Sequence, residues 1–277
     1  MTVRLLKKDI KRLALKKTTW FALLLFILIT GVNLKFIHSE LPTSNPYYDP
    51  LSAFEYFVSI QGGGSGFLLL LLPLGVTLTT GDFFIRERLS SILSYSLIRA
   101  DNIKVYIRNR IISLGITSFL FIFFLQLILF IGTLVLFPVT KPKLDQGIVY
   151  YAVDLFINSP LIYSFIVIIN SALMAFFFSC ISVLISLYSN NLYAAIMLPY
   201  VIFIGVSEIL MSFPMFLGIK GILFYNISPL NMAGDYITNS FHWAIVPLYW
   251  IILSIICIKI IIIMFMNRFQ KEKLLIN

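Results

Sequence analysis

The chain holds few side chains able to make or break bonds. Its two cysteines, Cys180 and Cys257, and its two histidines, His38 and His242, fall at no spacing that would hold a metal. Neither histidine sits in a Glu-x-x-His pattern, and no nucleophile stands beside a base, so hydrolysis and acyl transfer lack their parts. The run Gly62-Gly63-Gly64-Ser65-Gly66 invites a phosphate-loop reading, but Phe67-Leu68-Leu69 follows where Lys-Ser or Lys-Thr is required. It reads instead as a flexible entry to an apolar segment, and the chain is expected to bind no nucleotide, metal or other cofactor of its own. What remains is charge. Arg86, Glu87, Arg88 and Arg99 stand in a basic stretch around Ser90, Ser91, Ile92 and Leu93, between the second and third apolar runs. Glu208 and Lys259 stand alone in apolar surroundings, where an ionisable group is a functional candidate by default. With Asn170 and Ser179 they are the candidates for lining a substrate path.

The elements that must position these groups are set by composition. Of 277 residues, 60% are apolar and 12% charged, against roughly 25% charged in ordinary soluble domains. With a mean hydropathy of +0.96, lipid is the main solvent. The net charge of +9 lies at the feet of apolar runs, so anionic lipid headgroups are its expected counterpart. Nucleic acid is not, because no basic stretch carries an aromatic stacking platform.

A membrane crossing needs roughly 20 apolar residues to traverse about 30 Å of hydrocarbon. Six segments meet that length: 18–36, 64–84, 111–137, 161–188, 192–210 and 243–266. Only helices and closed barrels satisfy their backbone in lipid, and these runs are too long for strands. The expected fold is an all-α integral membrane protein, one transmembrane domain with a six-helix bundle. Residues 1–17 form an amphipathic interfacial helix, with Val3, Leu6, Ile10 and Leu13 at helical spacing and cations on the other faces. No small-x-small cleavage site follows the first apolar run, which therefore reads as an uncleaved anchor.

Orientation follows from Lys and Arg. With the N-terminus inside, the inner segments hold sixteen and the outer loops four, so both termini are expected in the cytoplasm. The 85–110 loop then faces the cytosol. The outer loop carries Pro42, Pro46 and Pro50 ahead of a short aromatic helix over Leu51 to Ile60 at the outer interface. Between Leu192 and Leu230 the chain is too long for one crossing, and short helices broken at Pro214 and at Gly218/Gly221 are expected in the outer leaflet. By helical rise, Glu208 and Lys259 stand about 24 Å and 12 Å from the inner face, too far apart to pair directly. Asn170, Ser171, Ser179, Ser182 and Ser186, with Thr77, Thr79 and Thr80, either tie helices together or line a polar path.

The stretch Asp82-Phe83-Phe84-Ile85-Arg86-Glu87-Arg88-Leu89-Ser90-Ser91-Ile92-Leu93-Ser94-Tyr95-Ser96-Leu97-Ile98-Arg99 resembles the intracellular loop of type-2 ABC transporter permeases. Glu87, Ser90/Ser91, Ile92/Leu93 and Arg99 stand where that family has a Glu, a small-residue pair, two leucines of a coupling helix and an Arg. Ser90 replaces the usual Gly, and no Pro stands near Leu97. Ile227-Ser228-Pro229-Leu230 is similar to the segment before the family's last span. The resemblance implies the permease subunit of a bacterial ABC exporter in the plasma membrane. Two permease chains, identical or sister, would sit on two ABC ATPase subunits that hold the ATP and Mg, with residues 89–95 as the coupling helix. The cargo would be amphipathic or hydrophobic: an antimicrobial peptide such as a bacteriocin, a drug or a lipid, moved for export or self-immunity. The alternative is an ion-coupled secondary transporter, which six dissimilar spans and sparse acids disfavour.

Overall fold

The computed structural model describes residues 2–40, 51–61, 68–90, 92–100, 102–142, 152–189, 191–233 and 242–274. Every regular element among them is helical: α1 (Thr2–Leu15), α2 (Lys17–Glu40), α3 (Ala53–Gln61), α4 (Leu68–Val76), a π turn (Thr77–Gly81), α5 (Asp82–Leu89), α6 (Ile92–Ile98), α7 (Ile103–Leu136), α8 (Val153–Asn158), α9 (Pro160–Tyr188), α10 (Leu192–Leu217), a 3₁₀ turn (Gly218–Gly221), α11 (Ile222–Asn226), α12 (Pro229–Ala233) and α13 (Ile245–Leu274). Among the described residues, five stretches are long and apolar enough to cross a membrane: Lys17–Lys35, Ile103–Leu136, Pro160–Tyr188, Leu192–Leu217 and Ile245–Arg268. The protein is thus an all-α, multi-pass membrane protein.

The second expected span differs in form. Its first residues, with the glycine run, lie outside the described residues, and residues 68–89 are helical but interrupted by the π turn. Pro73 removes one backbone donor from α4. Just beyond it, the hydroxyls of Thr77, Thr79 and Thr80 donate back to the carbonyls of Leu74, Gly75 and Val76 at 2.9–3.0 Å. A proline followed by back-bonding threonines is a recognised cause of a local change in helical pitch.

The central helix is α9, with 67% of its apolar window buried against 28%, 22% and 28% for α2, α10 and α13. Its small residues allow this. Ser171, Ala172, Ala175, Ser179, Ser182 and Ser186 are all buried, and Ser171 and Ser186 spend their hydroxyls on carbonyls one turn back at 3.0 and 2.6 Å. On the facing helix, a Cβ at Gly115 would come within 2.5 Å of the Phe176 ring, so any larger residue there would require that ring to shift.

Two local expectations need correction. Pro214 lies inside α10 instead of ending it; the turn comes at Gly218, whose φ of +58° favours glycine. The aromatic segment after the prolines does form a helix, α3, but it is wholly buried rather than lying at an interface. Tyr56 stacks on Phe137 with ring centroids 3.8 Å apart, and Phe57 meets Phe130 edge-on at 5.0 Å.

Candidate functional site

Residues of the 85–110 loop are held by a network of ion pairs whose centre is buried. Arg110, near the start of α7, is 1% exposed. Its Nε and Nη2 donate to the two carboxylate oxygens of Glu87 on α5, both at 2.8 Å, the fork geometry that suits guanidinium to carboxylate. Its Nη1 donates to Asp9 on α1, and the Ser113 hydroxyl donates to the same Asp9 oxygen at 2.6 Å. Arg12 reaches Glu87 at 3.4 Å and lies 4.2 Å from the centre of the Phe83 ring.

A second cluster adjoins the first. The Lys16 ammonium donates to Asp82 at 2.6 Å and to the carbonyls of Leu78 and Thr79 at 3.0 and 2.9 Å. Those carbonyls belong to the π turn, where the helical ladder is irregular. Burial lowers the Lys16 pKa from its ordinary value, and Asp82 opposes that shift. Arg86 pairs with the other Asp82 oxygen at 2.6 Å while its side chain stays half-exposed. Together the two clusters strap the amphipathic α1 to α5 and α7. Arg88 has a different duty: it donates to the carbonyls of Leu187 and Ser189 at 2.8 and 2.5 Å, at the C-terminus of α9, where a cation complements the helix dipole. Arg268 of α13 donates to Leu187 as well.

The residues expected to make one docking surface therefore divide. Glu87 is buried and engaged inside the bundle, and Leu93, at 4% exposed, packs α6 against the core. Leu89, Ile92, Tyr95 and Ile98 are exposed, with Ser90 and Arg99 beside them. The result is a short helix tied down by Leu93 on one side, with Ile92, Tyr95 and Ile98 exposed on the other. Ser91 lies outside the described residues.

The four path candidates do not converge. Asn170 and Ser179 are buried within the helical core, and the Asn170 amide donates to the Met232 carbonyl at 3.3 Å, a carbonyl that Trp250 Nε1 also reaches at 3.1 Å. Glu208 and Lys259 face outward from the single chain.

Asp9 is the residue that sequence reasoning passed over. Its signal was present: it is the only acid in the first 39 residues, on the apolar stripe of Leu6 and Leu13 among seven cations. An acid on the buried side of a basic helix asks for a buried cation. Comparison of the sequence with protein-family models and with curated proteins finds no match, so the functional reading rests on the residues themselves.

Proposed function

We propose that this chain is the membrane subunit of a transporter driven by a separate ATPase of the ABC type. The observation that carries the reading is the two-sided character of α6. Leu93 anchors it, α5 joins it directly to the buried ion-pair network, and Leu89, Ile92, Tyr95 and Ile98 offer an apolar face beyond the bundle. Force applied at that face would pass through α5 to α1 and α7 by way of Glu87, Arg110 and Asp9. In this reading residues 64–84 make a sixth crossing, both termini are cytoplasmic, and the membrane is a bacterial plasma membrane.

A second permease chain belongs to the proposal. Glu208 and Lys259 face out from apolar helices, and charge turned toward lipid is costly unless it meets protein, water or an interface. Two copies or sister chains would cover such faces, with two ATPase subunits below holding ATP and Mg. The cargo is amphipathic or hydrophobic, since the spans concentrate no charge for a strongly polar solute. Antimicrobial peptides, drugs and lipids fit that class.

The test separates the two sides of α6. Ile92→Asp with Tyr95→Asp should abolish copurification of an ABC ATPase and its stimulated ATP hydrolysis, while membrane insertion is unchanged. ATPase binding retained by that variant counts against the docking face. Transport that survives ATP depletion but collapses with an uncoupler would replace the reading with ion-driven transport.

A further inference from the structure

Two cavities share one seam, and each has the chemistry the other lacks. A polar cleft of about 250 Å³ opens where α1 ends, α2 begins and α5 passes. Four cations line it, Arg12, Lys16, Lys17 and Arg86, against the single acid Asp82. Asp82 already accepts from Lys16 and Arg86, and Arg12 leans toward Glu87 at 3.4 Å. Among the described residues that line it, the cleft therefore carries surplus positive charge, with Lys17 added to the cations that Asp82 and Glu87 meet.

Next to it along α2 runs a shallow groove of about 30 Å³ between α2 and α4 whose lining is wholly apolar, including Ala22, Leu25, Ile29, Leu71 and Leu74. The two meet one turn apart on both walls. On α2, Thr18 lines the cleft and Ala22 the groove; on the opposite wall, Asp82 lines the cleft and Leu78 the groove. From Ala22 to Ile29 the groove follows α2 for about 10 Å. A close contact shapes it: a Cβ at Gly75 would come within 2.2 Å of the Phe26 ring, so α2 and α4 touch at its floor.

We infer that this seam is a binding site for one anionic glycerophospholipid of the leaflet at the N-terminal side. The phosphate sits among Lys17, Arg12 and Arg86, and one acyl chain lies along Leu25, Ile29, Leu71 and Leu74. A free phosphate would satisfy the cleft but has no use for an apolar groove continuous with it. Lys17 opens the first apolar stretch, which puts the cleft at headgroup depth. The inference needs that placement and does not depend on an ATPase partner.

The experiment is native mass spectrometry of the full chain in detergent micelles, titrated with palmitoyl-oleoyl phosphatidylglycerol, with phosphatidylcholine bearing the same chains, or with glycerol phosphate. The expected result is one retained phosphatidylglycerol per chain at ratios where phosphatidylcholine is lost, and no displacement by glycerol phosphate. Lys17→Gln with Arg86→Gln should weaken retention about thirtyfold, since each juxtamembrane cation contributes a comparable increment. Leu25→Gln, at an exposed position of the groove, should weaken it severalfold without altering charge. Lys7→Gln with Lys11→Gln removes the same charge from exposed positions outside the cleft and should have little effect. Equal retention of both lipids, equal loss in the two cation pairs, no loss in Leu25→Gln, or displacement by glycerol phosphate would each overturn the site. ATPase copurification is a separate readout, so failure here and failure of the transporter reading are told apart.

Discussion

Arg110 shows what a single buried charge demands of its surroundings. A guanidinium taken out of water is tolerated only when its donors are met, and here Glu87 takes two and Asp9 a third. The arrangement stabilises little in itself, because desolvation offsets most of the attraction, but breaking it from one side is expensive. Arg110→Met would leave the Asp9 and Glu87 carboxylates buried without their shared cation. We expect a loss of about 3–5 kcal/mol, read from unfolding of the detergent-solubilised protein. Arg110→Lys should recover only part of it, since an ammonium cannot fork across a carboxylate. Glu87 was singled out by its place in the loop that resembles a permease; the pairing of Asp9 with Arg110 was not legible, because 101 positions separate them.

At the scale of elements, α3 is the instructive case. Ser52 and Glu55 form a reciprocal capping box, with Ser52 N–H donating to Glu55 at 2.6 Å and Glu55 N–H to the Ser52 hydroxyl at 3.3 Å. That start signal is readable as Ser-x-x-Glu. The burial of the helix is not, because the aromatic residues of α3 would serve as well at a lipid interface as in a core. Gln61 decides between them: its amide exchanges two hydrogen bonds with Gln126 of α7 at 2.8 and 2.9 Å, in a site where both residues are 0% exposed. Gln61→Leu alone strands its partner and should cost about 1–3 kcal/mol. Gln61→Leu with Gln126→Leu removes both polar groups and should restore most of that loss. Unfolding of the two single variants and the double variant measures the coupling.

At the scale of the whole molecule, the count of crossings is the open quantity that a simple measurement settles. Among the described residues, five stretches meet the length and hydropathy of a span unaided. Residues 64–84 would be a sixth; the described part of that segment, from Leu68, is helical but interrupted by the π turn. Parity distinguishes the cases: six crossings put both termini on one side, five put them on opposite sides. We expect reporter fusions at Met1 and Asn277 both to be active on the cytoplasmic face, and a cysteine at Ser94 to be labelled from that face. Termini on opposite sides would remove residues 64–84 from the set of spans.

Helicity, the existence of long apolar segments and the asymmetry of Lys and Arg were determined by the sequence alone. They depend on composition and on patterns within one helix, which every copy of the segment carries whatever its neighbours. Tertiary structure decided which polar groups face inward. It sent Glu87 and Asp9 to one buried arginine, turned Leu93 inward while leaving Ile92 out, and drew α3 from an expected interface into the core. In a chain this apolar, hydrophobicity separates lipid from water but does not distinguish lipid from protein interior. Only pairing between distant polar side chains, each costly to bury alone, makes that distinction.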